Sequence, residues 1–172
     1  MNRDELRALQ APLKSAYKDD PTQALITLKA TGTLGENVSC KVDTGRAIAE
    51  AGLHPATGGD GTLLCSGDML LEALVACAGV TLRAVATSLG VDVQDGRVFA
   101  EGDLDFRGTL AVEREAPVGF RDIRLRFELD TDADDEQLAS LLKLTERYCV
   151  VFQTLASGPG LDVTLERAAA TA

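Results

Sequence analysis

Cysteine is the residue type in this chain best able to do covalent chemistry, and there are four, Cys40, Cys65, Cys77 and Cys149, beside one His. A thiol reacts as its thiolate, which needs a partly exposed, electropositive setting. None of the four forms a Cys-x-x-Cys pair, so a zinc knuckle or a thioredoxin-type motif is not indicated. A single His also excludes a His-rich metal site. Cys77 (in LVACAGVTL) and Cys149 (in ERYCVVFQTL) lie in apolar, helix-forming surroundings. Cys40 and Cys65 read as small buried hydrophobes, with Cys65 left open as a spare redox partner for Cys77.

If Cys77 is reactive, something must stabilise its anion. It lies nine residues past Asp68, ~13 Å along a helix axis, beyond the reach of the macrodipole at the helix start. A cation therefore has to come through the tertiary fold. Arg83 is six residues along, roughly 240° round the helix from Cys77, and is poorly placed. Arg46, in the loop-like region upstream, is the better choice, and Arg147, beside Cys149, is the other. Asp68 and Glu72 share a face at i, i+4 and could orient such an Arg by a bidentate pair. The competing reading makes Asp68 a helix cap and Glu72 an ordinary polar position. His54, in Leu53-His54-Pro55, reads as a turn residue, and Gly58-Gly59-Asp60-Gly61 reads as a plain turn because no Gly-Lys-Ser/Thr follows.

These side chains belong to a chain of 172 residues with 17 Lys plus Arg, 27 Asp plus Glu and a net charge of −10. The length fits one domain with a real core. The acidic excess argues against nucleic acid and anionic membranes as partners, since like charge repels. With 45 % hydrophobic residues the chain is not disordered. The charged start has no apolar stretch and no run approaches a membrane span, so the expected compartment is the cytoplasm, with reduced thiols.

Periodicity supplies the elements. Residues 3–18 read as helical, with Pro12 splitting them, and residues 1–20 as an N-terminal helical extension. Ala24–Thr31 and Asn37–Val42 read as a hairpin about a turn at Gly32–Gly35. Arg46–Ala51 is ambiguous and residues 52–62 are a loop. Asp68–Leu89 is a long helix, capped by Ser66 and Asp68, ended by Gly90 and apolar on nearly every face, which marks a buried central helix. Val91–Phe106 reads as a hairpin about Asp95-Gly96 and Gly102; Gly108–Glu113 and Phe120–Leu129 read as strands. The acidic run Asp130–Glu136 reads as a helix N-terminus, leading into a helix from Asp134 to about Tyr148. A second helical piece spans Cys149–Leu155, and Leu161–Leu165 reads as a last strand before a frayed tail, 168–172. Strands, a central helix, strands and a helix pair make an α+β fold in one domain, 21–167.

Two segments together carry a family resemblance. The stretch from Ser66-Gly67-Asp68-Met69-Leu70-Leu71-Glu72 through Ala76-Cys77 to Val80-Thr81-Leu82 resembles the first cysteine helix of the OsmC/Ohr family (osmotically inducible protein C and organic hydroperoxide resistance proteins). Tyr148-Cys149-Val150-Val151 with Thr154-Leu155 resembles its second motif, and the element order agrees over roughly residues 24–166. Here Val150 stands where the family usually has Pro, Ser66 where a Pro often opens the helix, and Gly67 where the hydroperoxide-resistance branch carries a carboxylate. The resemblance implies an OsmC-like fold of antiparallel sheets with a long cysteine-bearing helix in an intertwined homodimer. It implies a thiol-dependent peroxidase acting on organic hydroperoxides, with Cys77 peroxidatic and Cys149 resolving. Arg46, Asp68 and Glu72 are the supporting candidates. No cofactor or metal is implied, and an external dithiol or lipoylated protein is the reductant. The alternative is a non-catalytic OsmC-like protein that binds a hydrophobic ligand or a partner.

Overall fold

The structure is a computed structural model and describes residues 2–5, 8, 11, 19, 31–34, 39–43, 48–111 and 114–167. Of the expected N-terminal extension it shows a helical turn at residues 3–5. There Asn2 and Glu5 each accept a hydrogen bond from the other's backbone N–H at 2.9 Å. Most of residues 1–20, residues 24–30 of the first expected strand and the tail 168–172 lie outside the described residues.

Strands β1 (Thr31–Leu34), β2 (Ser39–Asp43) and β3 (Ile48–Gly52) form an antiparallel meander. The turn expected at Gly32–Gly35 is strand as far as Leu34. Gly32 is absorbed into the ladder opposite Val42, between the β-branched Thr31 and Thr33. The ambiguous Arg46–Ala51 segment becomes strand from Ile48. In the loop that follows, a 3-10 turn at Pro55–Thr57 is capped by His54, whose Nδ1 accepts the Ala56 N–H at 3.0 Å. The His54 ring stacks on Phe106 at 4.9 Å, and the Asp60 carboxylate accepts from both the N–H and the hydroxyl of Thr62. Both loop motifs therefore serve as turns.

The short β4 (Leu64–Cys65) pairs parallel to β3 and runs directly into α1 (Ser66–Leu89). Pairing of Cys65 with Gly52 holds the backbone extended up to Cys65, so Cys65 is the N-cap. Ser66, expected as a cap, is already helical. Asp68 sits in the first turn beside the positive end of the helix. Gly90 ends the helix in the left-handed conformation, at φ 74°, and donates to the carbonyls of Ala86 and Thr87.

Strands β5 (Asp95–Leu104) and β6 (Phe120–Asp130) form one long antiparallel ribbon. The hairpin expected within Val91–Phe106 is thus a single strand. Its glycines mark close approach rather than a turn. A Cβ on Gly96 would meet the Glu128 carbonyl at 2.9 Å, and one on Gly102 would meet the Phe120 ring at 2.5 Å. The strand expected at Gly108–Glu113 is replaced at its start by a helical turn, α2 (Phe106–Thr109), and residues 112–113 lie outside the described residues. Gly108 lets the returning chain press within 2.5 Å of its would-be Cβ at the Ala116 carbonyl, which curls the segment out of the sheet.

Two helices complete the fold, α3 (Asp135–Tyr148) and α4 (Val150–Ala156). Asp134 and Gln137 form a reciprocal capping box, so the acidic run is a helix start. The core has two neighbouring parts. One gathers Leu82, Val85, Ala86, Val91, Val93 and Leu141; the other gathers Leu74, Ala78 and Cys149, with Phe127 touching both. Helix α1 is not covered on every face as expected: Val80 is 73 % exposed, because within one chain the ribbon and α3–α4 clothe only part of it. By length and composition α1 is also long and apolar enough to cross a membrane. Leu161–Leu165, expected as a strand, is extended chain that pairs with no described strand. Leu161, Val163 and Leu165 are almost fully exposed.

The capping box gives a direct prediction. Asp134→Ala leaves an orphan N–H at the start of α3 and is expected to cost about 1 kcal/mol. A urea midpoint identical to that of the unchanged chain would remove the box as a source of stability.

Candidate active site

Helix α1 carries Cys77 at mid-length, half-buried, and presents it to the point where α3 gives way to α4. That point is one residue wide. Cys149 is at once the C-cap of α3 and the N-cap of α4, in an extended conformation at φ −73°, ψ 107°. Its N–H donates to the Thr145 carbonyl and its carbonyl accepts from the Gln153 N–H, both at 2.9 Å. The backbone of the junction is thereby satisfied, and the side chain is free to turn inward, where it has no exposure. Cys77 and Cys149 interact directly, side chain to side chain, within a wall formed by Leu74, Ala78, Val151 and Phe152.

The two thiols differ in acidity. For Cys77, burial pushes the thiol up. Against it act the Val151 N–H, the Cys149 thiol, the Val150 N–H and the Thr81 hydroxyl, and their sum holds Cys77 below the ordinary thiol value. For Cys149, burial again pushes up. The Phe152 and Val151 N–H groups pull the other way, but hydrogen bonding and charge repulsion from Cys77 add to burial, and Cys149 ends above the ordinary value. Deprotonation therefore begins at Cys77, and the Cys149 S–H can donate to the resulting thiolate. Among the described residues, none of the groups acting on Cys77 is a cation.

The other sequence candidates fall elsewhere or beyond view. Arg46 lies outside the described residues. Asp68 and Glu72 do share a face of α1, but it is an exposed one. They line a groove with Leu71, Val75, Ala76 and Ala100, and neither has an ion pair with a described residue. Nine and five residues before Cys77, they point ~180° and ~140° away from it round the helix. Arg147 stands over the Tyr148 ring at 5.8 Å, and Arg83 donates to the Val93 carbonyl. Cys65, twelve residues before Cys77, is separated from it by ~18 Å of helix, too far for a bridge.

Sequence reasoning missed the groups that do act on Cys77. The Thr81 signal was present as an i, i+4 spacing. The signal from α4 was the residue after Cys149, where Val keeps an N–H that a Pro would lack.

The model of the OsmC-like protein family matches residues 59–164, which includes both cysteines. The chain belongs to this family. Its fold, with a long helix and antiparallel ribbon in a mixed α+β arrangement, is similar to that of an OsmC-like protein from Mycoplasma pneumoniae. The TM-score is 0.65 at 16 % identity, over 77 % of this chain and 89 % of that one. An organic hydroperoxide resistance protein OsmC from Legionella pneumophila gives 0.61 at 17 % identity, over 77 % and 91 %. An organic hydroperoxide resistance protein from Elizabethkingia anophelis gives 0.62 at 18 % identity, over 78 % and 91 %. At such identities the likeness is one of fold. Curated protein sequences give no significant match.

For this OsmC-like chain the acidity difference fixes the sign of a pH effect. A thiol with a lowered value stays ionised as pH falls past the ordinary thiol range and loses its charge only below it. Alkylation by iodoacetamide, followed peptide by peptide, should keep Cys77 reactive at pH values where Cys149 is silent. A Cys77 midpoint at or above the free thiol value of ~8.5 would contradict the site geometry.

Proposed function

We propose that this OsmC-like chain is a thiol-dependent peroxidase that reduces organic hydroperoxides. The reading rests on one observation: two cysteines far apart in sequence meet in an apolar wall with opposite shifts in acidity. The coarser inference, a redox or peroxide-resistance role, comes with the family and with neighbours described as organic hydroperoxide resistance proteins.

In the proposed cycle the Cys77 thiolate attacks the terminal oxygen of R–O–O–H. The O–O bond breaks, an S–O bond forms, and the alcohol leaves after taking a proton. Sulfur loses two electrons and the peroxide gains them, giving Cys77 sulfenic acid. The Cys149 sulfur then attacks the sulfenic sulfur, an S–S bond forms, and water leaves with the Cys149 proton. An external dithiol, or a lipoylated protein, restores both thiols by exchange and is itself oxidised to a disulfide. Sulfur carries both electrons throughout, so the cycle calls on no cofactor or metal. The apolar residues around the pair suit a bulky organic peroxide.

The chain is proposed to work as a homodimer in the cytoplasm. A second copy would cover Val80 on α1 and the apolar side chains Leu161, Val163 and Leu165, which are 73 %, 88 %, 91 % and 99 % exposed in the single chain. Arg46 is kept as the candidate cation, and Asp68 and Glu72 as supporting residues that could act on it.

Single-turnover assays with cumene hydroperoxide test the roles. Cys77→Ser should abolish peroxide consumption. Cys149→Ser should allow one turnover and leave a sulfenic acid that dimedone traps on Cys77. Full activity of Cys77→Ser would overturn the proposal. Sedimentation velocity should find a two-chain species, and a single-chain species at all concentrations would contradict the dimer.

A further inference from the structure

Three threonines occupy well-described helical positions in which the hydroxyl can fold back on the carbonyl four residues earlier. Thr87 does so, donating to Arg83 at 2.8 Å, and so does Thr145, donating to Leu141 at 2.7 Å. Thr81, one turn beyond Cys77, makes no such bond among the described residues. Its hydroxyl is directed instead at the Cys77 sulfur. From the opposite side comes the first turn of α4. Its N–H groups have no partner within the helix, and the N-cap Cys149 supplies no side-chain cap. The packing of Cys77 against Cys149 and Val151 brings those donors to the sulfur.

We propose that the Thr81 hydroxyl and the Val150 N–H together hold the Cys77 sulfur as a thiolate, two neutral donors converging from different elements on the reacting atom. The inference deepens the peroxidase reading and rests on it for its catalytic meaning, but its chemical content, the acidity of Cys77, is measurable without any peroxide. Neutral donors suit this site. A hydrogen bond to an ion in a poorly solvated wall is stronger than one between neutral groups. A dipole also brings no charge that would have to be desolvated. The lower acidity of Cys149 follows from the same arrangement, since the thiol nearest the new anion is the one whose own ionisation is opposed.

The experiment compares four chains, unchanged, Thr81→Val, Thr81→Ser and Val150→Pro, by peptide-resolved alkylation of Cys77 across the thiol pH range. Thr81→Val deletes the hydroxyl at nearly constant volume, and Thr81→Ser keeps it. Val150→Pro deletes one N–H at the first position of a helix, where Pro is tolerated, and the extended Cys149 before it is compatible with a following Pro. The Thr81→Val and Val150→Pro variants are each expected to move the Cys77 profile upward, slowing alkylation at neutral pH by about tenfold. Thr81→Ser should track the unchanged chain, and the alkaline plateau rate should be the same in all four, which separates acidity from access. Superimposable profiles in Thr81→Val and Val150→Pro would overturn the inference. If Thr81→Val fails to fold, a wild-type profile in Val150→Pro overturns the backbone half and a shifted profile in Thr81→Ser overturns the hydroxyl half. Shifted profiles in a chain that leaves cumene hydroperoxide untouched would support the two donors while sinking the peroxidase reading.

Discussion

The one-residue junction between α3 and α4 is the constraint on which the site depends. Had the two helices been joined by a flexible loop, the second thiol would sweep through solvent and meet the first only occasionally. Instead Cys149 closes one helix and opens the next with its own N–H and carbonyl, and its backbone conformation is fixed by both. The side chain then has one place to go, into the core against α1. The same junction aims the unpaired first-turn N–H groups of α4 at the space that Cys77 occupies. Position, dryness and donors all arise from a single feature of the chain trace.

The charge of the molecule bears on this only indirectly. A net charge of −10 disfavours a further anion, so a thiolate within such a chain needs local donors. The ion pairs on the outer face of the ribbon, with Arg124 between Glu101 and Asp103 and Arg126 beside Glu128, are exposed. Arg124 holds the Asp103 carboxyl below its usual range by hydrogen bonding. These pairs order the solvent side of the sheet and do not reach the cysteines. What reaches them is a hydroxyl and peptide N–H groups, whose orientation is set by helix geometry and costs little to maintain.

Much of the fold was legible in the residues. The Ala- and Leu-rich run before Gly90, the alternation from Phe120 to Leu129, and Asp134 with Gln137 each encode an element locally, and each appears where local rules put it. The errors share one cause. Asp95-Gly96, Gly102 and Gly108 look like punctuation in a sequence, but here the missing Cβ admits a neighbouring backbone or a Phe ring, which only the tertiary fold reveals. Leu161–Leu165 has the pattern of a strand but no strand to pair with in one chain. At the site, the two cysteines could be read because their surroundings form motifs. Asp68 and Glu72 could not be placed correctly by spacing to each other alone, since the face they share points away from Cys77. The peptide donors of Val150 and Val151 carry no side-chain signature at all, and Thr81 was one of many hydroxyls until its failure to bond back along the helix set it apart.

The central claim is that the two cysteines joined by this fold form a working redox pair, and the disulfide state of the unchanged chain tests it most directly. Peptide mapping before and after one equivalent of cumene hydroperoxide should find all thiols free at first. Afterwards it should find a single new cross-link between the peptides bearing Cys77 and Cys149, with Cys40 and Cys65 still free. Thiols that remain intact, or a cross-link that leaves out either Cys77 or Cys149, would contradict the account.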